Sequence, residues 1–154
     1  MKKASHFLKY FFAGIALIII DRLTKYGALL LCVSRYQMNR YCAFELVFNR
    51  GVSFGIFYST SPIVFWLVTT AIIVLTLGVW IYTVKQYKIG RLVWGETLVL
   101  AGSISNIIDR FLYRGVIDFI ELSCAGYTWP IFNSADIFIV CGFIIMLITY
   151  YKNS

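Results

Sequence analysis

Asp118 lies inside Val116-Ile117-Asp118-Phe119-Ile120, a short β-branched and aromatic run of the kind that forms a buried strand. A carboxylate in such a segment is costly unless it is paired or used. Further on, Asp136 opens the apolar run from Ser134 to Tyr151. If the chain brings these two carboxylates together in a partly desolvated site, they do not both ionise easily, so one keeps a proton while the other acts as a base. Such a pair titrates as a unit, activates water and protonates a leaving amine, which is peptide hydrolysis by an aspartic dyad. Membrane carboxylates also serve proton relays, so a small proton-coupled transporter or channel subunit stays open as the alternative.

Other polar residues recur at spacings that would support this pair. Asn106, Asp109 and Arg110 sit at i, i+3 and i+4 and share one helical face. Asp21 and Lys25 are four apart and can pair, although a charged flank with a snorkelling lysine reads the same way. Asn133 precedes a helix and Asp136 follows three residues later, as in a capping box. Asn49-Arg50-Gly51 has the residue types of a turn between two short strands, Ala43 to Phe48 and Val52 to Phe57. Other chemistries lack their parts. The only histidine, His6, lies at the far end of the chain, and there is no HExxH or phosphate-cradling glycine loop. Cys32, Cys42, Cys124 and Cys141 have no zinc-site spacing, so no metal or cofactor is expected, and the pairing of any disulfide is left open.

The elements that must position these residues are membrane helices. The 154 residues suit one domain; 60% are hydrophobic and 14% charged, against about 25% charged in a soluble domain. Mean hydropathy is +0.80. Four spans are expected, at about 6–31, 62–84, 92–113 and 134–151. The first has a basic start and apolar centre like a signal peptide, but Asp21-Arg22 follows where a small-residue cleavage site would stand, so an uncleaved span is expected. Ala101, Gly102, Ser103 and Ser105 allow close helix packing in the third. With both termini on one side, seven basic residues there (Lys2, Lys3, Lys9, Lys85, Lys88, Arg91, Lys152) face seven on the other, and setting aside Arg22, Lys25 and Arg110, which fall inside the expected helices, leaves four (Arg35, Arg40, Arg50, Arg114). That bias favours cytoplasmic termini and gathers the polar constellations at the extracytoplasmic end. The basic residues read as membrane flanks, and no nucleic-acid partner is implied.

Taken in order, the motifs become specific. Asp21-Arg22-Leu23-Thr24-Lys25, Asn49-x-Gly51-x-Ser53-Phe54-Gly55, Asn106-Ile107-Ile108-Asp109-Arg110, Val116-Ile117-Asp118-Phe119 and Phe132-Asn133-x-Ala135-Asp136 together resemble the bacterial lipoprotein signal peptidases (signal peptidase II). The resemblance implies an aspartic endopeptidase of the bacterial cytoplasmic (inner) membrane, cutting a prolipoprotein just before a cysteine that already carries diacylglyceryl. It places Asp118 and Asp136 at the catalytic positions. Asn49, Gly51, Asn106, Arg110, Asn133 and Ala135 match positions that shape the site or contact substrate, and Asp21, Lys25 and Asp109 match polar supports. It also implies four transmembrane helices with a small extracytoplasmic antiparallel β-cradle, contact with membrane lipid, and inhibition by globomycin. A single site per chain makes a monomer sufficient. The chain departs from the family pattern at Ala101-Gly102-Ser103-Ile104-Ser105, where glycines are usual, and at Ser53, where alanine is frequent.

Overall fold

An apolar run that opens with a proline should form a long helix, since proline fits the first turn and nothing charged interrupts the next twenty or so residues. The computed structural model, which describes residues 2–32, 34–51 and 59–152, has this helix as α2 (Pro62–Lys88). Three of its threonines return their hydroxyls to the backbone one turn earlier, Thr69 to Phe65 (2.8 Å), Thr76 to Ile72 (2.8 Å) and Thr83 to Val79 (2.7 Å), which satisfies those groups without solvent. Three further helices are α1 (Lys2–Leu31), α3 (Trp94–Tyr113) and α4 (Ser134–Lys152). They match the four expected segments, with α2 running on to Lys88 and α3 beginning at Trp94. Among the described residues, α2 and α4 are the two helices that are apolar enough by length and composition to cross a membrane, while α1 and α3 carry charged residues within them.

The molecule is apolar outside and polar within. Leu31 is 79% exposed, Ile63 73% and Leu75 70%, whereas Asp21, Asp109 and Asn133 are completely buried. Helix α3 is the hub, packing against α1, α2 and α4. Its seam with α4 is close because glycines face each other. A Cβ on Gly95 would sit 2.7 Å from the Gly142 carbonyl oxygen, and one on Gly102 would sit 2.5 Å from that of Ala135. Ala101, Gly102 and Ser105 are buried in α3 as their size suggested, but Gly95 and Gly142 were not foreseen.

The helix ends are set locally. Helix α3 stops where Arg114 turns left-handed (φ 58), at a cost of about 1 kcal/mol for a residue with a side chain. Gly115 follows, and a Cβ there would press on Phe48 at 3.3 Å. The chain then enters β3 (Val116–Cys124). Helix α4 opens with a reciprocal capping box: Asn133 Oδ1 accepts the Asp136 N–H (3.0 Å), and Asp136 Oδ2 accepts the Asn133 N–H (3.2 Å). The expected cap is therefore present, and it contributes on the order of 1 kcal/mol.

Four antiparallel strands lie in the order β1 (Tyr36–Gln37), β2 (Cys42–Asn49), β3 and β4 (Tyr127–Thr128). The sheet rests on the end of α1, where Ala28, Ile117 and Phe119 form a small core. The expected strand Ala43 to Phe48 falls within β2, but it pairs with β1 and the distant β3. Its proposed hairpin partner, Val52 to Phe57, lies outside the described residues, as do Ser53, Phe54 and Gly55. A bulge separates Phe44, opposite Ile120, from Val47, opposite Asp118. The four cysteines are free thiols.

Candidate active site

Asp118 on β3 and Asp136 in the first turn of α4 line one cavity of about 450 Å³, together with Asn49, Gly51, Asn106 and Arg110. The remaining wall is mostly apolar, including Ile72 of α2, Ile139 and Val140 of α4, and the Trp129–Phe132 connection. Asp118 is 2% exposed. This is an apolar groove with a few convergent polar groups at one end.

Three asparagine amides surround the aspartates, and each has its oxygen engaged so that its NH2 turns inward. Asn49 Oδ1 accepts the Gly51 N–H (2.9 Å), leaving Nδ2 to donate to Asp118 Oδ2 (3.0 Å). Asn133 Oδ1 is held by the Asp136 N–H, and its Nδ2 donates to Asp118 Oδ1 (2.6 Å). Asn106 Oδ1 accepts from Lys25 Nζ (2.7 Å), and its Nδ2 donates to Asp136 Oδ1 (2.9 Å). All four carboxylate oxygens of the pair therefore accept from an oriented N–H, one of them from the cap itself. Burial, then the negative charge of Asp136, push the Asp118 carboxyl up to about 7; the amides of Asn49 and Asn133 and the Lys25 charge pull the other way and lose.

The supporting residues divide by task. Arg110 is 2% exposed, stands over the Phe65 ring (5.6 Å to the centroid) and donates to the carbonyl of Gly51, fastening the end of β2 to α3. Gly51 is buried beneath it. Behind the amides, Lys25 pairs with Asp21 and with Asp109, each at 2.8 Å. Asp21 also accepts from Ser105 Oγ (2.6 Å), Ser134 Oγ (2.8 Å) and the Ala135 N–H (2.8 Å). Asp109 accepts the Ile117 N–H (3.2 Å). The structure thus brings together all eleven residues singled out from the sequence: Asp118, Asp136, Asn49, Gly51, Asn106, Asp109, Arg110, Asn133, Ala135, Asp21 and Lys25.

Others were missed. Arg22 reaches Asp109 Oδ1 (2.7 Å) and Asp21 Oδ2 (3.3 Å), although it is adjacent in sequence to residues that were singled out. Thr24 Oγ1 meets Ser134 Oγ at 2.6 Å and also lies 2.9 Å from the Asp21 carbonyl oxygen. Ser105 gave one signal, since it stands where the family pattern has glycine; its hydroxyl turns out to be one more donor to Asp21. Thr69 is fully buried beside Arg110, at 3.5 Å, and a threonine in an apolar helix gave no signal at all.

Comparison with known proteins agrees with this arrangement. Residues 13–152 match the family described as signal peptidase (SPase) II. A lipoprotein signal peptidase of Maridesulfovibrio salexigens is 32% identical, over 94% of this chain and 98% of its own length. One from Rickettsia conorii is 35% identical, over 90% of this chain and 70% of its own. A bacterial membrane enzyme solved by the in meso method at 2.3 Å superposes with a TM-score of 0.74 at 25% identity, covering 94% of this chain and 88% of that one. The fold is that of a bacterial membrane enzyme. The chain belongs to the signal peptidase II family, a family of proteases, and a bacterial membrane location fits it.

Proposed function

We propose that this chain is an intramembrane aspartic endopeptidase that removes the signal peptide from diacylglyceryl-modified prolipoproteins, cutting before the lipidated cysteine. One observation carries the reading: two carboxylates, with no cation among the described residues in salt-bridge contact, open onto the same apolar cavity, which also faces α2 and α4. In this reading all four helices cross the bilayer as one domain, both termini are cytoplasmic, and the β-sheet and the site lie at the extracytoplasmic face. Membrane lipid and the acyl chains of the substrate occupy the apolar wall. A globomycin-type cyclic peptide would compete there, and one chain suffices for activity.

The chemistry follows from one proton shared by two carboxylates. With Asp118 holding it, ionised Asp136 takes a proton from water as the oxygen attacks the scissile carbonyl. Asp118 then gives its proton to the departing amine. Arg110 is the nearby fixed cation on the cavity wall, suited to negative charge developing on the carbonyl oxygen. The proton-relay alternative has less support, because between Thr97 and Ser105 the buried positions of α3 are Val99, Ala101 and Gly102, which offer no polar path.

The test is cleavage of a purified prolipoprotein with and without its diacylglyceryl group, with the new N-terminus identified by mass spectrometry. The proposal expects cutting of the lipidated form alone, immediately before the modified cysteine. A cut elsewhere, or equal cutting of the unlipidated form, would overturn it.

A further inference from the structure

The residue before each aspartate gives its backbone N–H to another carboxylate. Asp21 Oδ1 accepts the N–H of Ala135, one residue before Asp136, at 2.8 Å. Asp109 Oδ2 accepts the N–H of Ile117, one residue before Asp118, at 3.2 Å. These two carboxylates come from different helices and share one ammonium: Lys25 Nζ is 2.8 Å from each. Arg22 spans the same pair from the rim, being 26% exposed against 1% for Lys25. The third proton of Lys25 goes to Asn106 Oδ1, so the ammonium also turns the Asn106 NH2 toward Asp136.

Neither helix capping nor general stabilisation accounts for this cluster. Asn133 already caps α4, so Asp21 is a second acceptor at an end that has one. A buried ion cluster is also a weak source of stability compared with apolar packing of the same volume, but it is stiff and specific in geometry. Stiffness is what a proton-sharing pair needs, because misplacement by about 1 Å costs on the order of a hundredfold in rate.

We propose that Asp21, Lys25 and Asp109, with Arg22 at the rim, form a yoke that fixes the separation of Asp118 and Asp136. Resting as it does on the peptidase reading, this makes Lys25 and Arg22 positioning residues for that reaction. The linkage runs Asp136–Ala135–Asp21–Lys25–Asp109–Ile117–Asp118, through two backbone N–H groups and one ammonium.

The test is the double variant Lys25→Met with Asp109→Asn, assayed on lipidated prolipoprotein across pH, with its melting temperature measured alongside. It removes one positive and one negative charge, so the net charge of the cluster is unchanged. The amide that replaces the Asp109 carboxylate would still offer an oxygen to the Ile117 N–H, but the buried ammonium that ties it to Asp21 is gone, leaving only Arg22 at the rim. The yoke predicts that kcat falls by about a hundredfold while KM stays within about threefold. It also predicts an alkaline limb of kcat at lower pH, because carboxylates that drift apart no longer strengthen each other's hold on the shared proton. A folded double variant with wild-type kcat and pH profile would overturn the yoke while leaving the peptidase reading intact. Should the double variant not fold, Arg22→Gln at the rim decides: kcat falls about threefold to tenfold at constant KM, and an unchanged kcat overturns the proposal. A wild type that cuts nothing would overturn the peptidase reading and the yoke together.

Discussion

Val47 stands opposite Asp118 in the β2–β3 ladder, one residue out of step with Phe44 opposite Ile120. The extra residue in β2 decides which face Asn49 occupies. With the bulge, Val47, Asn49 and Asp118 share a face, and the Asn49 amide reaches the carboxylate at 3.0 Å. The same residues paired without a bulge would put Leu46 opposite Asp118 and turn Asn49 to the opposite side of the sheet. Deleting Phe48, between Val47 and Asn49, would shift Asn49 by one place onto the other face and should therefore cost as much activity as Asn49→Ala, on the order of tenfold to a thousandfold for one lost donor to a reacting group. Combining the two changes should add nothing, so steady-state rates of the two single variants and the combination check it. Additive losses would mean that the register of β2 acts on something other than Asn49.

The pH dependence of cleavage follows from Asp118. Its carboxyl is raised to about 7 by burial and by the charge of Asp136, so below that pH the pair keeps its working proton. Above it both groups ionise and no acid remains for the leaving amine. We expect kcat/KM to be level just below pH 7 and to fall about tenfold per pH unit above it, as for a single ionisation in the free enzyme. A kcat/KM that stays level to pH 9 would contradict this.

Stability should depend on the same group. Folded Asp118 binds its proton more tightly than in the unfolded chain, where the carboxyl has its ordinary value of 3.8. The folded state therefore holds more protons between about pH 4 and 7, and its stability falls as pH rises through that window and then levels off. The loss is on the order of a few kcal/mol, at about 1.4 kcal/mol per pH unit. Asp118→Asn lacks the ionisation, so its melting temperature relative to wild type should be higher at pH 8 than at pH 5. An equal difference at both pH values would show that Asp118 is not buried at the expense of its charge.

Much of this site was legible because its parts are short-range. Asn106, Asp109 and Arg110 share a helical face by spacing alone, and Asn133 with Asp136 has the pattern of a cap that the structure contains. The stop after Tyr113 was visible at Arg114-Gly115, where helical periodicity ends. What was not legible depends on long-range register. The pairing of β2 with β3 joins residues about seventy positions apart, and a one-residue bulge leaves no mark in the local pattern of β2. The double role of Asp136, with one oxygen in the cap and the other toward Asn106, also needed coordinates. A capping box and a reacting carboxylate use the same residue types, so the sequence could not separate them, and in the structure they coexist on one side chain. Arg22 was passed over because an arginine near a helix end usually reads as a solvated flank, whereas here it closes a buried ion cluster.

The most direct test of the account is single-turnover cleavage of a diacylglyceryl-modified prolipoprotein by wild type, Asp118→Asn and Asp136→Asn, each checked for a cooperative melt in detergent. Asparagine keeps the shape of each side chain and removes only its ability to ionise. The account expects the wild type to cut before the lipidated cysteine, and each folded variant to be slower by about ten-thousandfold or more, since base and acid act as a unit. Cleavage within about tenfold of wild type by either folded variant would contradict the two-aspartate mechanism.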